Sequence, residues 1–127
     1  MKLNAFIDHT ILKAAATRAD VTQLCAEAKT HAFFSVCINS AWVATAKELL
    51  AGSPVKVCSV IGFPLGATPT ECKVSEAANC LCNGAEEVDM VINIGALKDR
   101  DLDAVRSDIA AVKNACGDKV LKVIIET

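Results

Sequence analysis

Helix-like and strand-like patterns alternate four times along this chain, and few folds accept that order. Runs of β-type residues occupy 34–38, 55–61, 87–92 and 120–125. Each follows a stripe of apolar residues at helical spacing. The stripes are Val21, Leu24, Cys25 and Ala28; Val43, Ala46, Leu49 and Leu50; Val74, Ala77, Ala78 and Leu81; and Leu102, Val105, Ile109, Val112 and Cys116. Such alternation implies parallel strands joined by right-handed crossovers. The boundaries agree. Thr17 is the predicted cap of the first helix, and Thr68-Pro69-Thr70-Glu71 reads as a capping box with proline at the first helical position. Gly52, Gly84 and Gly117 follow their stripes where a left-handed cap is expected.

The two faces of the strands differ, which separates the α/β architectures. One face carries Val36, Ile38, Val57, Ser59, Ile61, Val88, Met90, Ile92, Leu121, Val123 and Ile125, as expected beneath helices. The other carries Cys37, Asn39, Lys56, Cys58, Val60, Asp89, Val91, Asn93, Lys122, Ile124 and Glu126. A doubly wound sheet is covered on both faces and reads aliphatic on both. A barrel has helices outside and admits polar groups inside. The predicted fold is therefore α/β: half of a (β/α)₈ barrel, four parallel strands with helices on the outer face, in a single domain spanning residues 1–127. Four strands cannot close such a barrel, which needs eight.

Composition narrows the function classes. The chain is 53% hydrophobic with a net charge of −2 and few aromatics, which gives no support to nucleic-acid binding. No apolar run has membrane-spanning length. The seven cysteines form no CxxC pair, and Cys80-x-Cys82 is poor zinc spacing, so no metal or other cofactor is expected. Cysteine used as a small apolar residue predicts a reduced, cytoplasmic setting.

The chemistry-bearing positions are few. Asp89 stands inside an aliphatic strand, where a charge is costly unless paired or hydrogen-bonded. Lys122 lies on the next strand, about 4.8 Å away in backbone spacing, and faces the same side. Two readings stay open: a buried ion pair that only satisfies both charges, or a carboxylate and an amine tuned for proton transfer. Ile7-Asp8-His9-Thr10 reads as a local turn ahead of the first helix. Gly62-Phe63-Pro64-Leu65-Gly66 reads as a shaped loop at a strand's C-terminal end, where binding residues concentrate. Cys37 reads as a buried, inert thiol and His31 as a solvated cation near a helix end.

Taken together, Ile7 to Lys13, Ser35 to Asn39, Val60 to Gly66, Glu87 to Lys98 and Leu121 to Thr127 closely resemble the deoxyribose-phosphate aldolases, in order along the whole chain. The resemblance implies a (β/α)₈ barrel that reversibly cleaves 2-deoxyribose 5-phosphate to acetaldehyde and glyceraldehyde 3-phosphate. It implies a lysine Schiff base and no metal. Asp89 matches the family's catalytic aspartate, a proton donor and acceptor, while Asp8, Thr10, Cys37 and Lys122 match positions lining its substrate site. The family's Schiff-base lysine, second catalytic lysine and phosphate-binding segments belong to the other half of the barrel and match nothing here. Ala14 and Ser40 stand where the family often has proline. The implied partners are a phosphorylated sugar or aldehyde and, across open sheet edges, a second copy of the chain. The competing reading is a non-catalytic, self-associating half-barrel or a flavodoxin-like module.

Overall fold

The structure, a computed structural model, describes residues 2–127. Five strands form one sheet: β1 (Asp8–Ile11), β2 (Ser35–Asn39), β3 (Lys56–Ile61), β4 (Glu87–Val91) and β5 (Val120–Ile124). Neighbours pair in parallel and in chain order. The expected count of four is one short. The segment read as a turn, Ile7 to Thr10, contributes β1, which lies along β2 with Asp8 opposite Ser35 and Thr10 opposite Cys37. Its polar side chains hide the pattern, but Asp8 and His9 find partners on remote elements. Asp8 accepts a hydrogen bond from the Ser35 hydroxyl at 2.6 Å. His9 points to the helix side, 2.7 Å from the Glu27 carboxylate, and packs on Phe33.

Among the described residues five α-helices accompany the strands: α1 (Arg18–His31), α2 (Val43–Leu49), α3 (Thr70–Cys82), the short α4 (Ile94–Lys98) and α5 (Leu102–Cys116). Thr17 caps α1 reciprocally with Asp20, and the predicted stripe Val21, Leu24, Cys25 and Ala28 is buried throughout. The expected capping box ahead of α3 does not form: Pro69 is the N-cap and has no side-chain cap bond. The buried face of α3 also differs from the predicted stripe. Lys73, Ala77 and Cys80 face inward, while Ala78 is exposed. Lys73 reaches that position because Asp108 of α5 neutralises it at 2.6 Å, with the Lys73 ammonium also donating to the Val91 carbonyl at 3.1 Å. A buried, paired lysine is invisible to an apolar pattern.

The main core lies between sheet and helices, with Val36, Ile38, Val57, Ile61, Val88 and Met90 meeting α1, α2, α3 and α5. A smaller apolar group, Cys37, Cys58 and Val60, occupies the other face with Leu12 and Ile124. That face is concave. In a flat sheet β1 and β5 would lie four strand spacings apart, about 19 Å. Yet the Lys122 ammonium of β5 donates to the Asp8 carboxylate of β1 at 2.8 Å. Only a sheet curled into a barrel wall brings those edge strands within reach of one side chain. Strand order and curl together exclude the flavodoxin-like arrangement, whose order is 2-1-3-4-5. Among the described residues no helix is long and apolar enough to cross a membrane.

Candidate active site

The concave face gathers its charges around Lys122. Its ammonium lies 2.8 Å from Asp8 Oδ2, 3.4 Å from Glu87 Oε2 and 3.4 Å from Asp89 Oδ1. Strand register explains the cluster. Asp89 sits opposite Lys122 across β4 and β5, Glu87 precedes Asp89 by two residues on the same face, and the curl delivers Asp8. The predicted pairing of Asp89 with Lys122 is present, but the hydrogen bond from Lys122 goes to Asp8. Glu87 was not among the expected site residues. The two-residue period that placed Asp89 inside could have found it.

The carboxylates are not equivalent. Burial pushes Asp8 up, but hydrogen bonds from Lys122 and Ser35 and the Lys122 charge outweigh it, so Asp8 stays below the usual carboxylate range. Burial dominates at Asp89 and holds its carboxyl above that range, against the opposing pull of Lys122 and of a hydrogen bond with Cys58. Asp89 Oδ1 and Glu87 Oε2 are buried without a hydrogen-bond partner; their 3.4 Å approaches to Lys122 are charge contacts only. Lys122 loses some solvation, yet its hydrogen bond to Asp8 and the surrounding negative charge hold it above the ordinary lysine range. Asp89 is therefore a carboxyl displaced toward neutrality, next to a permanent cation.

Thr10, Cys37 and Cys58 line up in register across β1, β2 and β3. Thr10 is exposed and spends its hydroxyl proton on the Asp8 carbonyl at 2.8 Å. Cys37 and Cys58 are buried, and their sulfurs and a carboxylate oxygen of Asp89 all lie within 4.8 Å of one another. Hydrogen bonding with Cys37, then burial, raises the Cys58 thiol above its ordinary range. All five expected residues, Asp8, Thr10, Cys37, Asp89 and Lys122, thus lie on the concave face. Asp89 is mid-strand in β4 and lines the interior.

Two open hollows flank this charged centre. One, of about 330 Å³, lies at the strands' N-terminal end between Phe6, Phe34, Asp8, Glu87 and Lys122. The other, of about 450 Å³, lies at the C-terminal ends of β1 to β3, bounded by Leu12, Lys13, Asn39, Trp42, Phe63 and Pro64. The loop after β3 is fixed there by α3: the Gly62 amide donates to Glu76 at 2.9 Å. Gly66 has φ +64°, and a side chain on it would strike the Ile92 carbonyl and Val91. The predicted glycine loop therefore seats against the end of β4.

A family model described as DeoC/LacD family aldolase matches residues 3–127. The chain belongs to that family. It is 58% identical over 127 residues to the deoxyribose-phosphate aldolase of Brevibacillus brevis, covering all of this chain and 58% of that protein. It is 59% identical over 127 residues to that of Lactococcus lactis subsp. lactis, again with all of this chain and 58% of that protein covered. Among solved structures it superposes on QR15, described as an aldolase, with TM-score 0.95 and 32% identity over all of this chain and 57% of that one. It also superposes on the tetrameric deoxyribose phosphate aldolase of Aeropyrum pernix, with TM-score 0.82 and 35% identity over 98% of this chain and 52% of that one. The chain thus spans somewhat over half the length of the curated aldolases it matches. Five strands with their outer helices are one wall of the aldolase barrel.

Proposed function

We propose that this chain supplies one wall of a deoxyribose-phosphate aldolase site, the enzyme that reversibly splits 2-deoxyribose 5-phosphate into acetaldehyde and glyceraldehyde 3-phosphate. Asp89 is the proton donor and acceptor, and Asp8, Thr10, Cys37 and Lys122 line the substrate cavity. The observation that carries this reading is the state of Asp89, a mostly buried carboxyl held above its usual range, with an unsatisfied oxygen, on the inner face of a barrel wall. A group that must both give and take a proton works best with its pKa displaced toward the operating pH. Lys122 supports that role as a fixed cation.

On this reading Lys122 is not the Schiff-base nucleophile. A nucleophilic amine needs a depressed pKa, and the acids around Lys122 do the opposite. The carbinolamine-forming lysine and the phosphate-binding groups come from outside this chain, and the chain alone is inactive. β1 and β5 end the sheet. We therefore assign it a tendency to self-associate through those edges or across the concave face.

The test is reconstitution. The chain is mixed with a second polypeptide carrying the remaining strands of an aldolase of the family, and deoxyribose 5-phosphate cleavage is measured. Activity should appear only in the mixture. Asp89→Asn should assemble equally well and turn over slower by a factor of about 10²–10⁴, the usual range for losing a positioned acid–base group. Near-normal turnover by the assembled variant removes Asp89 from the mechanism.

A further inference from the structure

The two thiols of the concave face lie beside an underbonded carboxylate, a constellation that proton transfer alone does not require. Cys37 and Cys58 are 21 positions apart, which is why spacing along the chain suggests no metal site; register across β2 and β3 sets them side by side. Their sulfurs and a carboxylate oxygen of Asp89 fall within 4.8 Å of one another. Asp89 Oδ1 has no hydrogen-bond partner. We propose that Cys37, Cys58 and Asp89 form a three-ligand site for a thiophilic divalent cation, zinc or cadmium, with its fourth position open to the concave side.

The chemistry fits the donors. Zinc takes thiolate at about 2.3 Å and carboxylate oxygen at about 2.0–2.2 Å, in a tetrahedron whose ligand atoms lie roughly 3.3–3.8 Å apart. The donor atoms, within 4.8 Å of one another, would have to close by up to about 1–1.5 Å to reach that spacing. Each thiol releases its proton to solvent as its sulfur–metal bond forms, so a doubly charged ion enters as two protons leave. The net charge beside Lys122, Asp8 and Glu87 does not change. The soft sulfur pair excludes magnesium and calcium, which take oxygen ligands. Three protein ligands plus one open position is a reactive or inhibitory geometry. Because the ion would occupy Asp89, its presence and the proton-transfer role of that residue are mutually exclusive. Metal binding itself does not depend on whether Asp89 is catalytic.

The experiment is titration of the reduced chain with Cd²⁺, read by the ultraviolet thiolate-to-cadmium charge-transfer band. A Cys72→Ser/Cys82→Ser background removes the two exposed thiols. One equivalent should bind, and Mg²⁺ at large excess should not compete. Adding Cys37→Ser or Cys58→Ser should weaken binding by more than about 100-fold, beyond the roughly 10–100-fold that losing a residue which merely orients a ligand costs. Asp89→Asn should weaken it while leaving the band's intensity per bound ion. If the serine variants retain the full band and affinity, the proposal is overturned. If a serine variant does not fold, ¹¹³Cd NMR of the Cys72→Ser/Cys82→Ser chain decides. A shift in the two-sulfur range supports the site, and a shift in the oxygen-only or one-sulfur range overturns it.

Discussion

Replacing Lys122 by methionine tests the charge arrangement on which the site reading depends. The change keeps the aliphatic stem and removes, among the described residues, the only cation within 4 Å of three carboxylates, as the distances of 2.8, 3.4 and 3.4 Å show. Stripping one partner from a fully buried pair costs about 3–5 kcal/mol. Solvent reaches 39% of the Lys122 side chain and 33% of Asp8, which draws the figure toward the about 0–1 kcal/mol of exposed pairs. Glu87 and Asp89, at 5% and 13%, are the acids that lose their counter-charge where water is scarce. The expected loss at about pH 7.5 is roughly 1–3 kcal/mol, intermediate between those limits. Its pH dependence has a definite sign. Asp8 is held below its unfolded value, so its contribution is present above the unfolded pKa and disappears as pH falls through the lowered folded one. Lys122 is held above its unfolded value, so its contribution is complete below that value and is lost only in strong base. The Asp8 part of the penalty should therefore be full near neutrality and smaller at about pH 3, on the way down to that lowered folded value. Urea unfolding of both proteins at the two pH values measures it. An equal penalty at both, or none near neutrality, refutes the electrostatic account.

Three further outcomes follow from the same geometry. Lys73→Met strands Asp108, 6% exposed, with only the Thr70 hydroxyl, and should cost about 3–5 kcal/mol in urea unfolding; Lys73→Met/Asp108→Leu should recover most of it, and a single-variant loss below about 1 kcal/mol would contradict the pairing. Acetaldehyde with borohydride should leave the mass of the chain unchanged, because Lys122 is held protonated; stoichiometric addition at Lys122 would refute that. Light scattering at about tens of micromolar, where unpaired strand edges commonly associate, should show oligomers, and a clean monomer would remove the self-association proposal.

What the sequence made legible was whatever obeys a period. The strand runs lie within one residue of the observed bounds of β2 to β5, the four stripes fall on α1, α2, α3 and α5, and the inner and outer faces of β2 to β5 agree with the alternation. From that alternation alone Asp89 met Lys122 across adjacent strands. What was missed involves polar atoms whose partners are remote in sequence. β1 is four residues long and holds Asp8, His9 and Thr10, so it looks like a turn until Ser35, Glu27 and Lys122 are seen to satisfy it. The inner face of α3 was misread because Lys73 counts as polar, while its charge is cancelled by Asp108, 35 residues away. Glu87 shares the face of Asp89, but the curl that brings Lys122 to it is not a local property of the sequence.

That curl also bears on which lysine can do carbonyl chemistry. Two lysines lie on the concave face of the strands, Lys56 and Lys122. Lys56 begins β3 and carries its ammonium over the Phe34 ring, 4.8 Å from the centroid, at the N-terminal end of the wall. Lys122 is clasped by acids from β1 and β4, which stabilise its charged form. Neither environment desolvates an amine beside another cation, the arrangement that yields a free nucleophile near neutral pH. Lys73 is fully desolvated, but it faces the helices and is neutralised by Asp108. The lysines best fixed by this wall are therefore committed to electrostatics, as struts between elements. The inner face keeps one carboxyl displaced toward neutrality, Asp89, and the aldolase reading needs the wall to contribute that group while the amine arrives from the opposite side of the barrel.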